Sequence, residues 1–316
     1  MTASPRPLLV IGTRGSPLAL AQARMTLAAL VEHWPPALAQ GATAIQIDVI
    51  RTSGDRIQDR PLSEAGGKGL FTKEIDEAQL NGAVDIAVHS AKDLPTLLPD
   101  GLVVAGYLPR EDARDALISQ DGKSIACLSA GARIGSASLR RCAQLLRLRP
   151  DFQPQLLRGN VARRIACVRE GALEATLLAL AGLKRLGLAH EANAILDMDA
   201  FLPAIGQGAI ALVTRKGDTR IIEAVATLAC GKTAIALEAE RALLTVLDGS
   251  CRTPIAGHAH IEHGELTLRG EVLMPDGSDF AKGERAGALA DAAAMGTELG
   301  HELKRLAPAG ALSNGT

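Results

Sequence analysis

Three stretches of this chain concentrate side chains that do chemistry. Residues 89–93 read His-Ser-Ala-Lys-Asp, which places a ring nitrogen, a hydroxyl, an amine and a carboxylate within five positions. Lys92 and arginines from elsewhere favour the ionised form of Asp93, because opposite charge stabilises a carboxylate. Asp93 is therefore a candidate fixed acceptor or proton relay. Between Arg133 and Arg169 stand nine arginines (133, 140, 141, 147, 149, 158, 163, 164 and 169), no lysine, and one acid, Asp151. Guanidinium is a planar fork that pairs with carboxylate or phosphate through two parallel hydrogen bonds. An all-arginine run points to an anionic ligand rather than to a merely solvated face. The third stretch, ERALLTVLDGSCRTPIAG at 240–257, ends a helix in a polar turn that holds Cys251. Buried free cysteines behave as small hydrophobes, and this turn is no such setting. The residues alone leave an inert surface thiol and a chemically used thiol both open.

The elements that must position these groups follow from the pattern of apolar runs. LLVIGT (8–13) reads as a buried strand, and Arg14-Gly15-Ser16-Pro17 turns into a helix with Ser16 as N-cap and Pro17 at its first position. Helix N-termini attract anions, so Arg14 and Ser16 form a candidate anion site. Ile45–Arg51 is a second strand. Residues 53–69 are polar, Gly-rich and aperiodic, as in lids. A phosphate-loop reading of Gly66-Gly67-Lys68-Gly69 fails, because Leu62 stands at the first glycine position and Gly69 at the Ser/Thr position. Lys68 instead belongs to a lid. Phe71–Asn81 reads as a helix. VDIAV (84–88) is a buried strand running straight into residues 89–93, and open α/β sheets bind ligands at the carboxyl ends of strands. Leu102–Leu108 is a strand, and 109–112 looks like a crossing into a second domain.

That second domain alternates strands at 132–136, 155–157 and 175–180 with helices that begin near Arg140-Arg141, Arg158 and Lys184-Arg185. Cations at helix N-termini oppose the macrodipole, and repeating that cost at successive strand-to-helix turns points to a ligand that supplies the negative charge. FLPAIGQG (201–208) looks like a second crossing, and 209–214 reads as a strand returning to the first domain. Helices follow at 218–228 and 232–247. Short strands at 256–261, 266–269 and 271–274 precede a C-terminal helix through Lys304. The expectation is two α/β lobes with a cleft between them plus a smaller C-terminal α+β domain.

Composition bounds the function. The chain has 316 residues, is 47% hydrophobic and 22% charged, and has only 2% aromatics, so its cores rest on Leu, Ala, Val and Ile. No apolar run reaches the roughly 18 residues of a membrane span, and MTASPRPLLVIGTRGS lacks the pattern of a signal peptide. Five cysteines without metal or paired spacing fit a reduced, cytoplasmic protein. His258, His260 and His263 find no partner at zinc spacing, so no metal is expected. The net charge of −1 gives no overall pull toward nucleic acid. Single-strand binders interleave aromatics with cations, whereas the arginine segment holds only Phe152. A non-catalytic two-lobed binding protein would share the arginines but need neither Asp93 nor Cys251.

Nine segments, in this order, resemble the porphobilinogen deaminase family over nearly the whole chain. They are TRGSPLALAQ (13–22), GGKGLFTKE (66–74), VDIAVHSAKDLP (84–95), PREDARDAL (109–117), IGSASLRR (134–141), LLRGNVARR (156–164), LAGLKRLGL (180–188), PAIGQGA (203–209) and ERALLTVLDGSCRTPIA (240–256). The resemblance implies two lobes like periplasmic binding proteins and a third domain carrying the cysteine. It divides the chain into 1–108 with 209–226, then 109–208, then 227–316. It implies a transferase of tetrapyrrole biosynthesis that joins four porphobilinogen molecules head to tail, with loss of ammonia, and releases hydroxymethylbilane. The implied cofactor is dipyrromethane, bound by a thioether to Cys251. By motif position, Asp93 is the catalytic carboxylate. Lys92, Asp93, Ser136, Ser138, Arg140, Arg141, Arg164 and Arg185 attend the cofactor. Arg14, Ser16, Ser90, Arg158, Arg164, Arg185, Gln207 and the lid's Lys68 attend the substrate, whose acetate and propionate arms account for the arginines. Ala137 stands where many relatives have a hydroxyl residue, and Arg163 lies outside the family's spacing. The resemblance further implies a monomer without nucleic-acid or membrane partners.

Overall fold

The protein is described by a computed structural model covering residues 7–41, 44–56, 69–120, 124–247 and 253–312. The first part of the chain runs β1 (Leu9–Arg14), α1 (Pro17–His33), α2 (Pro35–Gln40), β2 (Ile45–Ile50), α3 (Ser53–Arg56), α4 (Lys73–Leu80), β3 (Ile86–Ser90) and β4 (Leu102–Tyr107). The middle part runs β5 (Asp115–Ser119), β6 (Arg133–Gly135), α5 (Leu139–Leu148), β7 (Gln153–Gln155), α6 (Val161–Arg169), β8 (Ala175–Ala179), α7 (Leu180–Arg185) and β9 (Ala194–Ile195). The last part runs β10 (Ile210–Arg215), α8 (Thr219–Ala226), α9 (Gly231–Val246), β11 (Ile255–Glu262), β12 (Glu265–Leu273), β13 (Phe280–Ala288) and α10 (Ala292–Leu306). The chain divides into two compact units. One holds the described residues of Met1–Ile57, Gly67–Arg110 and Ala209–Ala234, and the other those of Glu111–Gly208 and Ile235–Thr316.

In the first unit the sheet order is β2-β1-β3-β10-β4. β1 lies parallel to both β2 and β3, and β10 runs antiparallel to β3 and β4. β1 and β3 are apolar and buried along almost their whole length, as strands covered on both faces must be. Leu9, Ile11, Ile86 and Val88 pack with Ala23 and Leu30 of α1. Because β1 has β2 on one side and β3 on the other, the connections leaving it switch direction there. The carboxyl ends of β1 and β3 are where such a sheet opens a crevice.

The second unit holds a sheet of the same plan, β7-β6-β8-β5-β9, with β6 parallel to β7 and β8 and with β5 antiparallel to β8 and β9. It also holds an antiparallel meander, β11-β12-β13. Leu243 of α9 and Leu299 and Leu303 of α10 pack with Leu266, Leu268 and Val272 of β12.

Several elements differ from the sequence reading. The expected strands 266–269 and 271–274 are one strand, β12, because Gly270 continues the ladder where a Cβ would meet Leu303 and Leu243 at 2.8 and 3.0 Å. Residues 280–288 form a strand ahead of the C-terminal helix. Their glycines 283 and 287 lie under Leu299 and Met295 of α10, a tertiary cause that local pattern does not carry. The strand expected at 155–157 lies at Gln153–Gln155, and β5 follows directly on the first crossing.

Candidate active site

The first unit builds its site at the ends of β1 and β3. Arg14 is the last residue of β1. Ser16 caps α1, and its hydroxyl oxygen accepts from the Ala19 N–H at 3.2 Å. Pro17 follows at the first helical position, where its missing N–H costs nothing. β3 ends at Ser90, whose hydroxyl pairs with the buried Gln22 amide of α1 at 2.8 Å. One tight turn, Ala91–Asp93, then presents Lys92 and Asp93, tied back where the Ala91 N–H donates to the Ala209 carbonyl at 3.0 Å.

Arg14 and Asp93 meet here, with Arg14 Nη1 3.9 Å from Asp93 Oδ2. The Arg14 guanidinium also lies over the Phe71 ring, 4.0 Å from its centroid, a cation–π contact. A cavity of about 50 Å³ is lined by Arg14, Ser16, Gln22, Phe71, His89 and Asp93 among others. His89 is only 4% exposed. Burial first, and the Arg14 charge second, lower its pKa to about 4, so the ring is neutral near pH 7.

The second unit places arginines at the starts of two helices, α5 and α6, whereas Lys184 and Arg185, expected at a helix start, lie in the last turn of α7, where their charge suits the macrodipole. Ser138 caps α5, its Oγ accepting from the Arg141 N–H, and the Ser138 N–H donates to Ser136 Oγ at 3.1 Å. Both serines therefore shape the turn that carries Arg140 and Arg141. Those two guanidiniums are buried on one carboxylate. Arg140 Nη2 donates to Asp115 Oδ2 at 2.7 Å and Arg141 Nη2 to Asp115 Oδ1 at 2.6 Å. Gln207 Nε2 donates to the same Oδ1 at 2.9 Å. Burial pushes the fully buried Asp115 pKa up, but the two guanidiniums outweigh it and hold it well below the usual carboxylate range. Arg140 Nε is buried without a hydrogen-bond partner among the described residues, as is Arg185 Nε. Arg185 ends α7, and its Nη2 donates to the Gly208 carbonyl at 2.5 Å. Asn160 caps α6, and Arg164 Nε donates to the Gly159 carbonyl at 2.9 Å. Arg158 is half-buried just before that helix.

The arginine segment is thus not one uniform anion-binding surface. Arg133 pairs with Glu174, Arg147 with Glu271, Arg149 with Asp151 and Arg169 with Glu191. Three of those acids lie outside the segment, so its internal scarcity of acids overstated the charge left for a ligand. The sequence reading did not single out Gln22, Phe71 or Asp115. Phe71 carried a signal of its own, as one of only four phenylalanines beside the Gly-rich stretch. Lys68 and Cys251 lie outside the described residues. Among the described residues no group of three or more His, Cys, Asp or Glu could hold a metal ion.

Two family models match the chain. Residues 9–223 match "Porphobilinogen deaminase, dipyromethane cofactor binding domain", and residues 234–305 match "Porphobilinogen deaminase, C-terminal domain". The chain is 53% identical over 300 residues to the porphobilinogen deaminase of Nitrobacter winogradskyi, spanning 95% of this chain and 94% of that protein. It is 50% identical over 311 residues to that of Paracoccus denitrificans, spanning 98% of each. Among solved structures it is similar to the periplasmic aliphatic sulphonate binding protein of Escherichia coli, with a TM-score of 0.39 and 16% identity over 77% of this chain and 70% of that one.

Proposed function

The chain belongs to the porphobilinogen deaminase family, and from that premise we propose which of its residues carry the reaction. The activity is a transfer that joins four porphobilinogen molecules head to tail, releases ammonia at each addition, and yields hydroxymethylbilane for tetrapyrrole biosynthesis. The cofactor is dipyrromethane. Its pyrrole N–H groups call for an acceptor and its carboxylate arms for cationic donors. The residues present fit both demands. Asp93 supplies the acceptor, and the buried Nε donors of Arg140 and Arg185 have no partner among the described residues. When bound, the dipyrromethane supplies the pyrrole carbon onto which the units are joined. Cys251 is the proposed tether, with Lys92, Ser136, Ser138, Arg141 and Arg164 as further contacts.

Asp93 is the catalytic carboxylate. Loss of ammonia from porphobilinogen leaves positive charge spread onto its pyrrole N–H, and an ionised carboxylate held close stabilises that charge. The same carboxylate can accept a proton when the new carbon–carbon bond is made. Arg14 and Ser16 receive a carboxylate arm of the substrate and orient the ring toward Asp93, and Ser90, Arg158, Arg164, Arg185, Gln207 and Lys68 complete the binding set. The observation that carries this reading is the meeting of Arg14 and Asp93, 3.9 Å apart, from the ends of adjacent parallel strands.

Asp93→Asn tests it. The variant should fold with an unchanged unfolding midpoint and lose about 10²- to 10⁴-fold in turnover, the range of a general acid–base residue. Turnover within tenfold of the parent would remove Asp93 from the role.

We also propose a monomeric, cytoplasmic enzyme. Cys127, Cys142, Cys167 and Cys230 are free thiols, which supports a reducing compartment. No helix among the described residues is long and apolar enough to cross a membrane. Light scattering and cell fractionation check the two statements. A stable dimer or a secreted pool would contradict them.

A further inference from the structure

His89 is an orphan in a place where orphans are rare. It is 4% exposed on β3, and its Nε2 atom finds no hydrogen-bond partner among the described residues. Leaving such an atom unsatisfied forfeits the hydrogen bond that water gives it in the unfolded chain, so a buried unpartnered nitrogen marks a position for water or a ligand. The ring lines the cavity of about 50 Å³ shared with Arg14, Ser16 and Asp93. A water needs about 10–15 Å³ of such space, so this one has room for a carboxylate group or for water.

The rest of the lining selects between those occupants. The Ser16 Oγ lone pair is used by the Ala19 N–H, which leaves its hydroxyl proton to be donated to something else. α1 is 17 residues long and has no acid in its first turn, so its positive end is uncompensated. Arg14 adds a full charge beside Phe71. Asp93 is the opposing charge, set 3.9 Å from Arg14. Arg14, Ser16 at the N-terminus of α1 and His89 thus line one space, with Asp93 as the anion among them.

We propose that His89 is a third ligand of the substrate carboxylate received by Arg14 and Ser16, donating its Nε2–H to that carboxylate. The proposal rests on the reading of Arg14 and Ser16 given above. A neutral imidazole suits this position, because a second full cation beside Arg14 would be desolvated and repelled. His89 here is a binding and positioning residue; it exchanges no proton with the reacting atoms.

The test uses ¹⁵N-labelled holoenzyme. Nitrogen shifts at pH 7 should show His89 as the Nε2–H tautomer, and stoichiometric porphobilinogen should move that Nε2–H resonance downfield. An Nδ1–H tautomer, or a resonance indifferent to porphobilinogen, would overturn the proposal without any variant being made. In kinetics, His89→Phe should raise KM about tenfold with kcat within threefold, and His89→Gln, which keeps an N–H near Nε2, should recover most of the loss. An unchanged KM in His89→Phe also overturns it. If His89→Phe does not fold, the resonance and His89→Gln still decide. Ser16→Ala and Arg14→Lys separate the two levels. If these bind porphobilinogen normally, the carboxylate subsite itself is wrong. If they weaken binding and the His89 variants do not, only the assignment of His89 fails.

Discussion

A histidine held neutral by burial has a consequence for stability that can be signed in advance. The folded pKa of His89 is about 4 against an ordinary 6.5. Above pH 6.5 both the folded and unfolded chains hold it neutral, and it adds no pH dependence. As pH falls from about 6.5 to about 4 the unfolded chain takes up the proton first, so stability falls with it, by roughly 3 kcal/mol over that window. Below about 4 the folded protein also protonates and the slope from this group ends. In His89→Gln the acid slope of the denaturation midpoint between pH 6.5 and 4 should flatten; an unchanged slope would show that other groups set it. The same residue shows what could be read at this scale before the fold was known. His89, Ser90, Lys92 and Asp93 stood out because four polar types crowd the end of an apolar run. Which of them is buried could not be read, because that depends on Arg14 and Phe71 arriving from 75 and 18 residues away in the chain. The arginines failed more broadly for the same reason: Asp115, Glu174, Glu191 and Glu271 neutralise five of them from outside the segment that seemed to lack acids.

Elements with an unbroken local pattern were legible. β1, α1 and β3 lie within a residue or two of where the apolar runs and the Ser16-Pro17 cap put them. β13 was not legible, because its sequence, FAKGERAGA, has small residues where α10 packs close and no run of large apolar groups. The turn before it offers a sharp test of that packing. Gly277 has φ +72°, and a Cβ there would lie 2.5 Å from both the Ala143 carbonyl oxygen and the Arg147 nitrogen of α5. Gly264, in the other turn of the same meander, has φ +83° with nothing within 4 Å. Gly264→Ala should therefore cost only the left-handed backbone term, about 1 kcal/mol, and Gly277→Ala at least twice that, measured as denaturant midpoints. Equal costs would mean that the turn does not seat on α5. α5 is also held from its other end. Asp115 compensates two buried guanidiniums, so Asp115→Asn should destabilise by about 3–5 kcal/mol, the usual result of stripping one partner from a buried ion pair, with Asp115→Glu milder. A loss under 1 kcal/mol would show that Gln144 and the backbone carbonyls of Leu202 and Leu177, the other acceptors of these arginines, suffice.

At the scale of the whole molecule, the chain uses one sheet plan twice and then adds a meander, and the two family models divide it between 223 and 234, ahead of the meander. On the proposed assignment, attachment and turnover belong to different stretches of chain, with Cys251 beyond that division and Asp93 before it. They should be separable by mutation. Intact mass spectrometry of the purified protein should give the sequence mass plus one dipyrromethane. Cys251→Ser should give its sequence mass alone and no turnover. Asp93→Asn should retain the added mass and lose turnover. Peptide mapping decides whether the tether is the right thiol, since Cys127 is exposed and Cys142, Cys167 and Cys230 are partly so. The adduct should map to the peptide holding Cys251. Exposure alone would favour Cys127 as the site of a chance adduct, so an adduct found there would break the link between the thiol and the family's cofactor. An Asp93→Asn protein without the adduct would show instead that the catalytic carboxylate also builds the cofactor. That outcome is chemically coherent, since the dipyrromethane is itself two porphobilinogen units joined by the same bond, and it would merge the two roles that the chain's division keeps apart.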